Sequence, residues 1–191
     1  MFKFFAYLNR MKYIKRWSLM RSIREENIME HSQQVAVLSH ALALIGNKMF
    51  GKSISVEEVV LLAQYHEVGE VITGDLPTPI KYFNPEIKSA YKDLEENACK
   101  RILGMLPNEL KGEYEKYVLP NTDTYEYKLV KAADRLSAYL KCVEEVKAGN
   151  SEFKKAKSTI EKDLKGLKLP EVDYYLKEFC PAFDLTLDEL D

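Results

Sequence analysis

The sequence predicts an all-α fold, and three observations carry that reading. Apolar residues recur at alternating spacings of four and three along extended segments, the signature of helices with one buried face. Asn, Ser and Asp stand just before those segments and Gly just after several of them, where helix ends are capped. No stretch alternates polar and apolar residues as a half-buried strand does, and no tandem repeat or low-complexity linker divides the chain. The expectation is one domain spanning residues 1–191, built as a helical bundle.

The elements follow in order. From Asn27 to Met49, the positions His31, Val35, Leu38, Leu42, Ile45 and Met49 form one face, with Asn27 and Glu30 spaced as a capping box and Gly51 beyond the end. A second helix is expected from Ser55, capped with Glu58, through to about Thr73–Gly74, with Val59, Leu62 and His66 inward and Glu70 a turn further along. The stretch TGDLPTPIKYFNP carries Gly74, Pro77, Pro79 and Pro85 and reads as a long loop; loops of that length are usually functional or disordered. Asn84–Pro85 opens a third helix with Ile87, Tyr91, Leu94, Ala98 and Met105 as its stripe. A short helix over 108–118 precedes a long one from Asp123 to Ala148, with Leu129, Ala133, Leu136, Leu140 and Val143 inward and Gly149–Asn150 as its stop. Helices over 151–166 and 170–179 and an acidic tail complete the chain.

Composition narrows the chemistry. The 28 Lys and Arg against 30 Asp and Glu leave a net charge of −2, which gives no electrostatic case for a nucleic acid polymer or a membrane surface. The opening MFKFFAYLNRMKYIKRW is interrupted by Lys3 and lacks a signal-peptide core, so a cytoplasmic protein is expected. Three scattered Cys (Cys99, Cys142, Cys180) form no CxxC pair, which argues against a disulfide framework or a thiolate zinc site. With only three His, any imidazole-based site must use His31, His40 or His66.

Helical geometry separates those three. His31 and Leu38 point nearly the same way, seven residues being close to two turns. His40 faces away from that stripe. His66 occupies a core slot with Glu67 and Glu70 near it, and Asp134 borders the core beside Ala133. Taken singly, each has a plain reading: a satisfied core histidine, a solvated helix face, or an Asp134 paired with Lys131 or Arg135. Together, two inward imidazoles and several carboxylates on facing helices supply the nitrogen and oxygen donors of a divalent metal site. Burying that many charges without a cation costs several kcal/mol per ion.

The ordered set His31, His66 with a carboxylate next to it, and Asp134 resembles the H…HD…D signature of HD-domain metal-dependent phosphohydrolases. The stretches RWSLMR, EHSQQVA, YHEVGEVITGDLPTPIKYFN, LVKAADRLSAYLKCVEE and FDLTLDEL are similar to the YfbR-like 5′-deoxynucleotidase branch of that family, over essentially the whole chain. The resemblance implies an HD-type bundle with its metal site between core helices. It implies His31, His66, Glu67 and Asp134 as metal ligands, with cobalt ahead of manganese, zinc or other transition ions. It implies Glu70 as a catalytic carboxylate and Arg16 as the residue that orients the substrate phosphate. Trp17 would shape the sugar pocket against a ribose 2′-hydroxyl, and Glu67, Asp75, Leu76, Pro77 and Thr78 would contact substrate. The implied activity is hydrolysis of 2′-deoxyribonucleoside 5′-monophosphates by a homodimer.

One position departs from the pattern: the HD pair reads His66–Glu67. The extra methylene moves the carboxylate by roughly 1.5 Å, and displacements of that order can cost ~100-fold in rate. Two alternatives therefore stand beside the main reading: an HD phosphohydrolase acting on another nucleotide, and a nucleotide-binding protein whose catalytic site has degenerated.

Overall fold

A computed structural model describes residues 1–81 and 83–191, with the Thr78 side chain and Tyr82 outside the described residues. The chain forms α1 (Phe4–Leu8), a 3-10 turn (Asn9–Tyr13), α2 (Ile28–Met49), α3 (Val56–Tyr65), α4 (Glu70–Thr73), α5 (Thr78–Lys81), α6 (Pro85–Leu103), α7 (Asn108–Val118), α8 (Tyr125–Lys147), α9 (Lys154–Gly166) and α10 (Pro170–Glu178). Among the described residues no strand forms, and the only extended pairing is an isolated bridge between Lys15 and Asn27. The all-α expectation holds.

The two longest helices, α2 and α8, are the axis of the bundle. In α2, Asn27 accepts hydrogen bonds from the Met29 and Glu30 N–H groups, and Glu30 returns to the Asn27 N–H, so the expected capping box is present. The stripe Val35, Leu38, Leu42 and Ile45 is buried against Leu129, Ala133, Leu136 and Leu140 of α8. Burying each such leucine contributes about 1.5–3 kcal/mol. The cap of α8 differs from expectation: Thr124 rather than Asp123 accepts the Tyr127 N–H. Ser55 caps α3 through the Glu58 N–H, without the reciprocal half of a box.

Two other expectations are corrected. The helix expected from Ser55 to about Gly74 is broken: α3 ends at Tyr65, residues 66–69 form turns, and α4 resumes at Glu70. The break lets one short stretch serve two cores. Leu62 and Ala63 pack with α2 and α8, while Val68 packs with Phe4, Ile102, Leu106 and Val118 in a smaller second core. In α6 the expected stripe is only half right. Tyr91 and Ala98 are buried together with Ile102 and Leu103, whereas Ile87 and Leu94 are exposed. The loop after α4 is ordered by its own chemistry. Gly74 takes φ +73, a conformation that favours glycine, and its carbonyl accepts from the Tyr91 hydroxyl at 3.2 Å. Pro77 O then accepts from the Ile80 and Lys81 N–H groups and starts α5 inside what reads as a loop.

Candidate metal and substrate site

His31, His66, Glu67 and Asp134 meet where α2, the 66–69 turn and α8 converge. Each offers one ligand atom, and those atoms all lie within 4.8 Å of one another. Among the described residues no other His, Cys, Asp and Glu side chains form such a group. The His31 and His66 rings sit 5.3 Å apart between centroids. His31 Nε2 lies 3.1 Å from Asp134 Oδ1 and His66 Nε2 lies 3.3 Å from Glu67 Oε1. Neither contact has hydrogen-bond geometry, and both Nε2 atoms are buried without a hydrogen-bond partner.

The tautomers say what those nitrogens offer. His66 Nδ1 is 2.7 Å from the Ala63 carbonyl, which only accepts, so Nδ1 donates there and Nε2 is the nitrogen turned to the cluster. His31 Nδ1 has two neighbours, the Arg16 guanidinium and Ser137 Oγ at 3.1 Å. A guanidinium only donates, so the Arg16 contact uses the Nδ1 lone pair. Donation from Nδ1 to Ser137 instead frees Nε2 as a ligand, and the Ser137 hydroxyl is already turned outward, donating to Gln34 Oε1 at 2.5 Å. Two buried nitrogens flanked by two carboxylates fit a divalent transition ion; His66 Nδ1 makes the outer hydrogen bond such sites use, and Ser137 stands where His31 Nδ1 can make the same.

The electrostatics agree. Burial, reinforced by Arg16, lowers the His31 pKa to about 4 despite Asp134, so the ring is neutral at physiological pH. Burial would raise the Asp134 carboxyl, but the Lys131 charge, with the His31 ring beside it, holds it well below the usual range. Lys131 Nζ binds Asp134 Oδ2 at 2.7 Å, leaving Oδ1 for the cluster, while Arg135 pairs with Asp163 instead. Glu67 is likewise held down by His66 against the effect of burial. Glu70, hydrogen-bonded to Glu67, is driven up by burial and then by the Glu67 charge. Like charges so close cannot both ionise, so the pair keeps one proton, on Glu70. Because the helix is interrupted, Glu70 reaches this position from the first residue of α4 rather than from one turn along a continuous helix.

Of the expected substrate residues, Arg16 and Asp75 interact with this centre. Arg16 touches His31, and its guanidinium carbon sits 5.9 Å from the centre of the Trp17 ring. Trp17 adopts φ +59, a left-handed conformation that costs a non-glycine residue roughly 1–2 kcal/mol. Its indole donates to Glu26 Oε2 at 2.9 Å, and Arg16 Nη1 lies 3.4 Å from the same oxygen. Asp75, Leu76 and Pro77 are half-buried; burial raises the Asp75 carboxyl despite the Arg16 charge. The expected contact from Thr78 falls on a side chain outside the described residues. His40 is exposed, as its helical angle predicts.

Sequence reasoning missed Ser137 and Glu26. Ser137 carried a signal, a polar residue three after Asp134 on a buried stripe. Glu26 sits in no regular element and carried none.

Known proteins resemble this chain in sequence and in fold. A family model described as 5′-deoxynucleotidase YfbR-like matches residues 3–183. A 5′-deoxynucleotidase of Vibrio cholerae serotype O1 is 53% identical over 188 residues, covering 98% of this chain and 97% of that protein. Among solved structures, an HD-domain phosphohydrolase from Listeria innocua superposes with a TM-score of 0.81 at 22% identity, over 95% of this chain and 88% of that one. The cyanophage S-2L HD phosphohydrolase, solved with dA and one catalytic Zn2+ ion, gives a TM-score of 0.65 at 20% identity, over 95% of this chain and 96% of that one.

Proposed function

The chain belongs to the YfbR-like 5′-deoxynucleotidase family, and from that premise we propose that it is a metal-dependent phosphomonoesterase. It cleaves 2′-deoxyribonucleoside 5′-monophosphates to deoxynucleoside and phosphate. The observation that carries this reading is the pair of buried, unpartnered Nε2 atoms with Glu67 and Asp134 beside them. Residues 1–191 act as one domain, in the cytoplasm and as a homodimer, and the substrate is a mononucleotide rather than a polymer.

His31, His66, Glu67 and Asp134 hold the ion, with cobalt preferred over manganese and zinc. The chemistry such an ion supplies is Lewis acidity toward a phosphoryl oxygen and a water acidic enough to attack phosphorus at neutral pH. Arg16 gives up the His31 Nδ1 contact, because a ring that offers Nε2 to an ion carries its proton on Nδ1, and turns to the substrate phosphate, whose oxygens match a planar guanidinium fork better than an imidazole does. Its departure leaves Nδ1 free to donate to Ser137. Glu70 is a buried carboxyl bonded to Glu67 but outside the donor set, which places it to give or take a proton at its own carboxyl during bond cleavage. Trp17 closes the sugar side against a 2′-hydroxyl, and Asp75, Leu76, Pro77 and Thr78 line the substrate.

The Glu67 departure does not by itself remove the site, because the longer side chain still brings Oε1 into the cluster. A chain with one arginine at this position suits a single phosphate better than a triphosphate. The test is phosphate release from dAMP and AMP before and after chelation and metal addition. Metal-dependent release, much faster from dAMP, is the expected result. Equal turnover of both nucleotides would remove the deoxy preference, and nucleotide binding without release under any metal would make the protein a binding module.

A further inference from the structure

The segment from Arg16 to Glu26 is irregular, yet it carries the two side chains given to phosphate and sugar. Its first limb is anchored by the Lys15–Asn27 bridge and by Arg16 N–H donating to Glu26 O at 2.9 Å. Its second limb is anchored far away in sequence, on the last turns of α8. The Glu145 carboxylate accepts the Ile23 N–H at 2.9 Å and the Arg24 N–H at 3.2 Å. Lys141 donates to Glu145 Oε1 at 2.6 Å and to the Arg24 carbonyl. Asn150 donates to Glu145 Oε2 at 2.8 Å and to the Arg21 carbonyl at 2.7 Å. Glu145 is 2% exposed and Lys141 6%, so these charges are committed to the latch and not to solvent.

The same region supplies the floor under Trp17. Phe153, fully buried, packs on the indole at 5.4 Å, and it follows Asn150 by three residues. A left-handed tryptophan persists only where its surroundings over-determine it. Here those surroundings are Glu26, Phe153, the Met20 N–H bonded to Trp17 O at 2.8 Å, and the latch that holds the returning limb. Nothing in the proposed chemistry uses Glu145, yet two backbone donors and two side chains converge on it.

We propose that Glu145, set by Lys141 and Asn150, is a positioning residue for substrate selection: it fixes the segment that holds Trp17 and Arg16 and so sets discrimination against a ribose 2′-hydroxyl. The discrimination half of this claim rests on the deoxynucleotidase reading above. Its structural half does not. Because Trp17 is the only tryptophan in the chain, its emission reports the position of the segment directly.

The experiment compares wild type with Glu145→Gln and the milder Asn150→Ala, each checked for helical content and bound metal. In both variants the Trp17 emission shifts to the red and acrylamide quenching increases. The ratio of kcat/KM for dAMP over AMP falls about tenfold, with KM for dAMP rising more than kcat falls and metal stoichiometry unchanged. Folded, metal-loaded variants with wild-type emission and a wild-type ratio overturn the proposal, as does a loss confined to metal content. If Glu145→Gln does not fold, Asn150→Ala alone decides by the same criteria. A wild-type protein that does not distinguish dAMP from AMP overturns the substrate reading; Trp17 emission then still settles whether Glu145 positions the segment, unchanged emission refuting it.

Discussion

Ser137 Oγ lies 3.1 Å from His31 Nδ1, at the base of the ring whose Nε2 faces Asp134. That hydroxyl is the group able to accept the Nδ1 proton and so hold His31 in the tautomer a metal ligand needs. Outer hydrogen bonds of this kind typically carry 10–100-fold in metal affinity. Ser137→Ala is therefore expected to weaken metal binding about tenfold or more while the helix stays folded, since α8 loses only a small buried hydroxyl. Calorimetric titration of the stripped protein with Co2+ or Zn2+ measures it. An unchanged affinity would place the His31 tautomer under Arg16 control instead.

Glu67 is the second position where one side chain decides. Glu67→Asp withdraws the carboxylate by about one methylene and restores the residue type of the HD pattern. The expected outcome is activity in both proteins, higher in Glu67→Asp by up to ~100-fold with the same metal. Steady-state phosphate release with metal content measured on the same samples separates the cases. Activity in Glu67→Asp alone would identify the present chain as catalytically degenerate.

How much of this was legible in the sequence depends on the range of the interactions. The α2 and α8 stripes are local patterns, and with them His31, Asp134 and the direction of His40 could be read from spacing. The break at 66–69 could not. The helical spacing of VEEVVLLAQYHEVGEVI runs on through Gly69, whose cost inside a helix is only about 1 kcal/mol, and the break falls where Val68 turns into a second core built from Phe4, Ile102 and Val118. The left-handed Trp17 was equally invisible, because the groups that hold its segment lie 121 and 122 residues away at Glu145. Asp134 was legible as two readings, Lys131 partner or metal ligand; in the structure Oδ2 pairs with Lys131 and Oδ1 turns toward His31 Nε2.

Glu145 also makes a prediction about acid. Burial alone would raise its carboxyl, but the Ile23 N–H, Lys141, Asn150 and the Arg24 N–H lower it to about 2 from an ordinary 4.5. A folded-state pKa below the unfolded value means that ionised Glu145 stabilises the fold. That contribution is complete above about pH 4.5 and is lost as pH falls toward 2. Thermal melting of wild type should therefore drop more steeply between pH 5 and pH 2 than that of Glu145→Gln, with the two curves converging at the acid end. Parallel curves would mean that the carboxylate is not held as the hydrogen bonds indicate.

Gly46 tests the packing behind the site. It lies inside α2, where replacing glycine by alanine ordinarily gains about 1 kcal/mol of helix propensity. Here a Cβ would sit 2.5 Å from Ile54 Cδ1 and 2.8 Å from Glu171 Oε1. The isoleucine end can shift, but Glu171 cannot move cheaply. It is fully buried, its Oε1 lies 2.6 Å from Lys52 Nζ, and the Tyr125 hydroxyl donates to it at 3.1 Å. Displacing that α10 carboxylate strains its ion pair with Lys52, in the α2–α3 connection, and its hydrogen bond from Tyr125, at the start of α8. Overpacking of this kind costs roughly 1–3 kcal/mol, which outweighs the propensity gain. Gly46→Ala is thus expected to lower the denaturation midpoint, and combining it with Glu171→Ala should relieve the clash at the oxygen, so that the double variant is destabilised by less than the sum of the two single changes. Strict additivity in urea titrations would show that the Cβ is accommodated by Ile54 alone.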